Sequence, residues 1–202
     1  MPTPIELIEA EIKRRFPELV PQHEKHRAER LRAKDYEGYL YLFDGHKRFP
    51  ALLKIEHLLP DKEYWKCLNL VWDNIEVSAP DQREWLRLFT SPRPQRQFLM
   101  SASERRAFAA MPDTLTIYRG YAKGKVRSGI SWTLSKERAR FFADYAIGAR
   151  RQLLCGHQGG NPMIVASKCH KRDVLAYFNG RGEQEIVINP RHVFAKRSTT
   201  AL

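Results

Sequence analysis

Two glutamates one residue apart, Glu183 and Glu185, are the side chains whose type and spacing most directly indicate chemistry in this sequence. They lie in the run from Tyr177 to Pro190, whose second half alternates as a β-strand does. Side chains two apart in a strand share a face, so both carboxylates are predicted to point the same way. The opposite face, directed into a core, would hold Gln184, Ile186 and Ile188. Paired carboxylates can transfer a proton or stabilise a developing cation.

A turn precedes the two glutamates. The run Asn179–Gly182 contains two glycines, which adopt positive φ without strain. A loop that leads into two carboxylates at a strand edge suits a reactive site. A solvated strand face beside a hairpin turn is the alternative interpretation of the same residues.

Two further segments place polar side chains on predicted strands. Residues 114–119 have β-strand character, and Arg119 is expected at the end of that strand, where its charged head can leave the core. Residues 130–134 form a second predicted strand, on which Ser131 and Thr133 share a face opposite Trp132. An ordinary surface ion pair for the arginine, and ordinary strand positions for the two hydroxyls, are the alternatives.

The segments Tyr118–Gly120, Ser131–Thr133 and Glu183–Glu185, in this order, resemble the arginine–serine–glutamate branch of the mono-ADP-ribosyltransferases. These are NAD-consuming toxins and modifying enzymes, and the resemblance covers about residues 113–190. It implies an α+β fold with an ADP-ribosyltransferase-like split β-sheet. The family's middle motif is commonly Ser-Thr-Ser, and Trp132 replaces its small central residue. Because position 132 faces away from the two hydroxyls, this departure is expected to alter packing and leave the pocket intact.

The resemblance implies a role for each motif in NAD cleavage. Arg119 would bind a phosphate of NAD, while Ser131 and Thr133 would hold the catalytic carboxylate and frame the nicotinamide pocket. Glu185 would bind the ribose 2′-hydroxyl and offset the positive charge of an oxocarbenium-like transition state. Glu183 would orient or deprotonate the acceptor. The remaining residues expected to contact NAD are Gly120, Phe142 and Tyr145, with Phe141 as a further aromatic and core packing for at least one of the phenylalanines.

In this family the loop before the paired glutamates touches the acceptor. Here that loop offers Tyr177 and Phe178 for stacking, Asn179 for base edges and Arg181 for phosphate. The favoured acceptor is nucleic acid, RNA before DNA, which suits a toxin or phage-defence effector with a neutralising antitoxin partner. The alternatives are an arginine-directed protein ADP-ribosyltransferase and a non-catalytic, basic RNA-binding module. An RNA 2′-phosphotransferase normally needs histidines in the middle motifs, so Ser131 argues against it.

The distribution of charge supports an anionic partner. The 202 residues carry a formal net charge of +12. Residues 1–110 hold 19 basic and 17 acidic side chains, whereas residues 111–202 hold 16 and 6. Nearly all the excess therefore lies in the half that carries the paired glutamates, which indicates a phosphate-bearing cofactor or nucleic acid. A basic surface that serves solubility alone is the alternative.

Cysteine content and hydropathy indicate the compartment. Three cysteines without a CxxC pair suit a reducing cytoplasm, and no run of about 18 apolar residues predicts a membrane span. A zinc site would need Cys155, His157, Cys169 and His170 together, and no metal is expected.

The predicted elements divide the chain near residue 112. Residues 1–112 are expected to be mostly helical, with helices over 3–20 and 61–75, while residues 36–59 fit either a hairpin or a broken helix. Asp61 is the expected N-cap of the second helix, whose apolar stripe runs from Tyr64 to Ile75, and Ser101 or Ser103, and Ser135, are expected to cap later helices. Residues 113–202 alternate strands with one helix, which predicts an α+β core packed with the helical part as one compact unit.

Overall fold

The computed structural model describes residues 14–15, 19–74, 82–122, 129–153 and 162–200. The chain forms two compact units, the first made of Met1–Val77 with Pro94–Phe98 and the second of Ser78–Arg93 with Leu99–Leu202. Helical residues 82–109 thus belong mainly with the β-strands, and the division does not coincide with residue 112. The helix predicted over residues 3–20 lies almost entirely outside the described residues.

The described part of the first unit is helical. Its α-helices are α1 (Leu19–Arg32), α2 (Tyr36–Tyr41), α3 (Gly45–Ile55) and α4 (Asp61–Asp73), with a short 3₁₀ turn at Glu56–Leu58. Residues 36–59 therefore form a broken helix, the second of the two predicted possibilities. The predicted apolar stripe on α4 is buried from Tyr64 to Trp72, and its last member, Ile75, lies outside the described residues. Asp61, expected as the N-cap, is instead the first helical residue, and Pro60 holds the cap position without a side-chain hydrogen bond.

Trp65 of α4 is a core residue, as its position on the apolar stripe predicts. Its indole nitrogen donates to the carbonyl of Pro94 at 2.7 Å, and the Arg96 guanidinium lies over its ring at 4.8 Å. The hydrogen bond satisfies the one polar atom of a fully buried indole, so the side chain ties residues 94–96 to α4.

The second unit combines a β-sheet with helices, which confirms the α+β class. Its elements are α5 (Gln82–Phe89), α6 (Ala102–Ala109), β1 (Thr114–Ala122), β2 (Ser131–Thr133), α7 (Lys136–Leu153), β3 (Pro162–His170), β4 (Val174–Phe178), β5 (Glu185–Ile188) and β6 (Phe194–Thr200). The six strands pair antiparallel in one sheet, in the order β4-β5-β2-β1-β3-β6. The sheet is thus continuous where a split sheet was predicted.

Two serines begin helices beside this sheet. Ser101 forms a full capping box with Glu104 at the start of α6. The Ser135 hydroxyl accepts a hydrogen bond from the Arg138 amide at 3.1 Å and so caps α7. Ser135 is the predicted cap of α7, and Ser101 is one of the two candidates predicted for α6; a cap is readable from sequence because it depends on residues three positions apart.

An apolar cluster on one face of the sheet fixes the strands. It contains Leu115, Ile117, Trp132, Val165, Cys169, Tyr177, Ile186, Ile188 and Val193. Helix α7 packs against β1, β2 and β3. A Cβ atom on Gly120 would overlap the carbonyl oxygen of Ala139 and the amide of Ala143, so glycine lets helix and strand approach closely.

Strand β1 continues through Gly120 to Ala122, paired with β3 throughout. Arg119 consequently lies inside the strand, and its predicted place at the strand end is wrong. Among the described residues, no helix is long and apolar enough to cross a bilayer.

Candidate active site

The three motif segments lie on adjacent strands. Strand β2 pairs with β1 through Tyr118 and Thr133, and with β5 through Ser131–Val187, Trp132–Ile186 and Thr133–Glu185. Among the described strands, β1 and β2 share the shortest ladder, with one register pair. Arg119 is next to this pair in β1, and Ser131 is two residues before it in β2.

Ser131 holds the carboxylate of Glu185. Its hydroxyl donates to Oε1 at 2.5 Å, and both side chains are partly buried. Thr133 is the register partner of Glu185, so Ser131 is the diagonal neighbour on the same face of the sheet. A hydrogen bond to a charged acceptor is stronger than one between neutral groups, so this contact fixes the Glu185 rotamer.

Arg119 reaches the other side of the same serine. Its Nη1 donates to the Ser131 carbonyl at 2.6 Å, while its Nε is buried with no hydrogen-bond partner among the described residues. Burial lowers the pKa of Arg119 below its ordinary value, and the nearby Glu185 carboxylate opposes that shift. The guanidinium stays charged at neutral pH, so a partly buried cation and a carboxylate are each hydrogen-bonded to Ser131.

Gly129 makes room for this guanidinium. A Cβ atom there would lie 2.6 Å from Cζ and 2.7 Å from Nη2 of Arg119. The indole nitrogen of buried Trp132 donates to the Gly129 carbonyl at 2.7 Å, which holds the glycine in place. Trp132, which replaces the small central residue of the family's motif, therefore holds the glycine that makes room for Arg119. Gly129 was not among the predicted site residues, and its only signal in the sequence was a glycine two residues before Ser131.

The Thr133 side chain hydrogen-bonds to the backbone of the loop that carries Glu183. Its buried hydroxyl donates to the Glu183 carbonyl at 2.6 Å and accepts from the Ser135 amide at 3.0 Å. The predicted role of Thr133 in framing the nicotinamide pocket stays a prediction. Through these two hydrogen bonds, Thr133 connects Ser135, at the start of α7, with Glu183, two residues before β5 begins.

The two glutamates do not share a strand face. Strand β5 begins at Glu185, and Gln184 has a φ of 48° and is exposed, so its predicted place in the core is wrong. A left-handed residue breaks the alternation that the sequence suggested. Glu183 therefore lies in a loop, where its Oε2 pairs with Nη2 of Arg181 at 3.0 Å.

Asn179 organises this loop from within. Its Oδ1 accepts from the Gln184 amide at 3.2 Å, and its carbonyl accepts from the Gly182 amide at 2.9 Å. Its own amide donates to Oε1 of Glu104 at 2.8 Å, and Nε of Arg138 donates to the Gly182 carbonyl at 3.2 Å. The amide oxygen that was predicted to meet acceptor bases is thus engaged inside the loop.

The aromatic residues before the loop are buried. Phe178 is 6% exposed and packs against Phe89 of α5, while Tyr177 is 4% exposed and stacks on Phe108 of α6. Strand β4 is an edge strand, but these two helices cover its rings. The predicted stacking of acceptor bases on Phe178 does not fit this placement.

Comparisons of the chain with protein-family models, with curated proteins and with solved structures find no match. The interpretation of the site therefore depends on its own geometry. The structure brings together Arg119, Ser131 and Glu185, and it places Glu183 nearby on a separate, hydrogen-bonded loop.

Helix α7 carries the aromatic residues that were predicted to line the nicotinamide. Phe141 is 54% and Tyr145 48% exposed, and their rings stack with centroids 6.2 Å apart and planes 16° apart. Phe142 is half-buried and meets Phe141 edge-on at 5.6 Å. It is the more core-like of the two phenylalanines, as one of them was expected to be.

Among the described residues, no group of three His, Cys, Asp or Glu side chains could hold a metal ion. Cys155 and His157 lie outside them. Cys169 is buried within the sheet core, where burial raises the pKa of its thiol to about 11. A protonated core thiol is a poor metal ligand.

Proposed function

We propose that this protein is a mono-ADP-ribosyltransferase, which cleaves NAD at the nicotinamide–ribose bond and transfers ADP-ribose to a macromolecule. One observation carries the proposal. The Ser131 hydroxyl donates to Glu185 while the Ser131 carbonyl accepts from Arg119, so one residue binds both a carboxylate and a partly buried cation. Cleavage of a dinucleotide at a sugar carbon needs both charges, one for the phosphates and one for the developing cation.

Arg119 is suited to bind the phosphate groups of NAD. Its Nε is a buried donor without a partner, and such donors are rare unless a ligand or water satisfies them. An arginine can offer two parallel N–H groups to a phosphate oxygen pair. Gly129 leaves the guanidinium unobstructed, and Trp132 keeps Gly129 in place.

Glu185 is suited to stabilise the reaction centre. When the C1′–N bond of the nicotinamide riboside breaks, the nicotinamide leaves as a neutral base with the electron pair, and positive charge develops on the ribose. A carboxylate held beside that carbon stabilises the charge and can accept a hydrogen bond from the 2′-hydroxyl. The hydrogen bond from Ser131 keeps the carboxylate oriented before the substrate arrives.

Glu183 is suited to handle the acceptor. The attacking group of the acceptor forms the new bond to C1′ and gives up a proton, and Glu183 can take it. The side chain is partly exposed, and its partner Arg181 comes from the same loop. An exposed ion pair of this kind contributes only about 0–1 kcal/mol, so an acceptor can displace it.

The α+β class of the second unit is compatible with an ADP-ribosyltransferase-like fold, but its sheet is continuous. That fold divides its sheet at the substrate cleft, whereas here one register pair, Tyr118–Thr133, joins β1 to β2 beside Arg119 and Ser131.

Nucleic acid is the acceptor class we favour, RNA before DNA. The excess of ten positive charges in residues 111–202 supports an anionic partner. An arginine on a protein is the alternative acceptor. Action as a toxin or phage-defence effector with a neutralising partner would follow from nucleic-acid modification, whereas a non-catalytic RNA-binding module would release no nicotinamide.

Nicotinamide release from NAD tests the enzymatic proposal. Wild type, Glu185→Gln and Glu137→Gln are compared with and without RNA, since Glu137 is an exposed glutamate near the start of α7. We expect Glu185→Gln to lose at least about a hundredfold in rate, the scale seen when one charge-stabilising group is removed, and Glu137→Gln to match wild type. A folded Glu185→Gln protein as active as wild type would end the proposal, as would a wild type that releases nothing with RNA, DNA or lysate.

Transfer of label from NAD then identifies the acceptor. The protein is incubated with NAD labelled in its adenylate part and with purified RNA, DNA or lysate protein. We expect nuclease-sensitive label on RNA. Label found only in protease-sensitive material would exclude nucleic acid and favour the protein acceptor.

A further inference from the structure

Two side chains at the start of α6 bind the outer edge of strand β4. Among the described strands, β4 lies at one edge of the sheet, so the N–H groups on its outer side have no partner strand. The Tyr177 amide donates to Sδ of Met100 at 3.2 Å, and the Asn179 amide, two residues on, donates to Oε1 of Glu104 at 2.8 Å. The Phe108 ring of the same helix stacks on Tyr177. Packing therefore attaches α6 to β4 in addition to the Glu104 contact.

Glu104 accepts hydrogen bonds from two distant parts of the backbone on its two oxygens. Its Oε2 accepts from the Ser101 amide at 2.8 Å and from the Ser101 hydroxyl at 2.7 Å, which closes the capping box of α6. Its Oε1 accepts from the Asn179 amide, 75 residues away in sequence. A capping box forms with glutamate or glutamine, but a glutamine side chain has only one acceptor oxygen. The second contact therefore requires a carboxylate where the cap alone would accept an amide.

Through Asn179, this carboxylate is connected to the loop of residues 179–184, which we call the acceptor loop. Asn179 accepts from the Gln184 amide through Oδ1 at 3.2 Å and from the Gly182 amide through its carbonyl at 2.9 Å. These two hydrogen bonds close the turn that carries Glu183. Side chains of β2 and α7 hold the second half of the loop by the Glu183 and Gly182 carbonyls, whereas Glu104 holds its first residue. The place of Asn179 thus sets the conformation of the turn around Glu183.

We propose that Glu104 is a positioning residue for acceptor transfer, whose carboxylate fixes Asn179 and thereby the loop conformation in which Glu183 receives the acceptor. The inference rests on the proposed function, because it names the contact that orders the acceptor side of that site. Glu185 is held separately, by the Ser131 hydroxyl. Loss of the contact between Glu104 and Asn179 is therefore expected to lower transfer to an acceptor and to spare cleavage of NAD.

Glu104→Gln and Ser101→Ala separate the two contacts of this carboxylate in the full chain. Glutamine keeps an oxygen for the Ser101 amide but turns an NH2 group towards the Asn179 amide, so the cap remains and the loop contact is lost. Ser101→Ala removes the hydroxyl that accepts from the Glu104 amide and weakens the cap. It leaves both backbone amides that donate to the carboxylate in place, so it is the matched control.

Amide hydrogen exchange, followed by NMR without NAD or acceptor, tests the contact itself. We expect Glu104→Gln to speed exchange of the Asn179, Gly182 and Gln184 amides by about tenfold, since the loop opens more often once its first hydrogen bond is lost. In Ser101→Ala these three amides are expected to exchange as in wild type, while the Glu104 amide exchanges faster because its capping acceptor is missing. Unchanged exchange of the loop in Glu104→Gln would overturn the inference, whatever the activity of the protein.

Transfer of labelled ADP-ribose to RNA and to lysate protein, measured beside nicotinamide release without acceptor, tests the consequence for the reaction. We expect Glu104→Gln to lose about fivefold in transfer and to keep release within about twofold of wild type, whereas Ser101→Ala keeps both.

Two results would overturn the inference and leave the proposed function standing: equal losses of transfer and release in Glu104→Gln, or equal losses of transfer in the two variants. A wild type that releases no nicotinamide would refute the proposed function and with it the role of Glu104 in transfer. Faster loop exchange in Glu104→Gln would then still show that this carboxylate orders the acceptor loop.

Discussion

Glu183 and Glu185 are separated by one residue, yet they occupy different kinds of structure. Glu185 begins strand β5, and a hydroxyl on the neighbouring strand holds its carboxylate. Glu183 lies in a loop and pairs with Arg181 from that same loop. The residue between them, Gln184, adopts a left-handed conformation and separates the two regions. Under the proposed function, the rigid carboxylate of Glu185 would face the reacting sugar and the adaptable one of Glu183 would meet the acceptor.

Removal of the Ser131 hydroxyl tests most directly whether Glu185 must be held in place. We expect Ser131→Ala to reduce nicotinamide release by between about tenfold and a hundredfold, since a hydrogen bond to a charged group contributes about 1.5–3 kcal/mol. Steady-state kinetics would show the loss mainly in kcat. Ser167→Ala is the matched control, because Ser167 is a buried sheet serine whose hydroxyl has no partner among the described residues. Equal losses in both variants would mean that the serine acts only through folding.

Displacement of the Arg119 guanidinium tests its proposed contact with the phosphates of NAD. In Gly129→Ala the new Cβ would approach Cζ of Arg119 to 2.6 Å, so the guanidinium must move. The obstructing group is the end of a flexible side chain, so we expect little loss of stability but a rise of about tenfold in the KM for NAD. Gly180→Ala is the control, since a Cβ there meets nothing within 4 Å. An unchanged KM in Gly129→Ala would remove Arg119 from NAD binding.

Substitution of Asn179 is expected to loosen only the loop that carries Glu183. Asn179→Ala deletes the hydrogen bond from the Gln184 amide to Oδ1, which contributes about 1 kcal/mol. We expect transfer to an acceptor to fall about fivefold, while nicotinamide release without acceptor stays within about twofold of wild type. Asn189→Ala is the control, because Asn189 makes a similar local bond to the Arg191 amide after β5. A parallel fall in release and transfer would contradict the division between the two regions.

The backbone of Gln184 gives the smallest expected effect. At a φ of 48° a glycine relieves strain but loses more entropy on folding, so we expect Gln184→Gly to change the free energy of unfolding by no more than about 0.5 kcal/mol. Gln184→Val is expected to lower it by about 1–2 kcal/mol, because a β-branched residue is poorly tolerated there. Urea unfolding measures both values. A valine variant as stable as wild type would favour the regular strand predicted from sequence.

Local signals in the sequence predicted most of the elements. The caps at Ser101 and Ser135 and the apolar stripe of α4 each depend on neighbours within a few residues, and the structure confirms them. The end of β1 was predicted wrongly because Gly120 looked like a terminator. Pairing with Ile164 on β3 carries the strand through that glycine, and its missing side chain accommodates α7 instead.

The candidate site was predicted in part. The sequence selected Arg119, Ser131 and Glu185 as a group, and they are adjacent in the sheet. It did not indicate Gly129 beneath the guanidinium or Glu104 at the acceptor loop, since neither contact involves residues close in sequence. The burial of Phe178 was equally hidden, because a helix ending at Phe89 covers it.

The sequence by itself determined the elements of the second unit and the polar groups they carry, because strand alternation and helix capping act over two to four residues. Only the tertiary structure decided that Glu185 belongs to the sheet and Glu183 to a loop. Alternation of residue types cannot reveal a left-handed residue that distant contacts stabilise. At Gln184 these contacts are the hydrogen bond from its amide to Asn179 and the one from the Leu134 amide to its carbonyl. Long-range hydrogen bonds therefore separated two carboxylates that one strand period would have aligned.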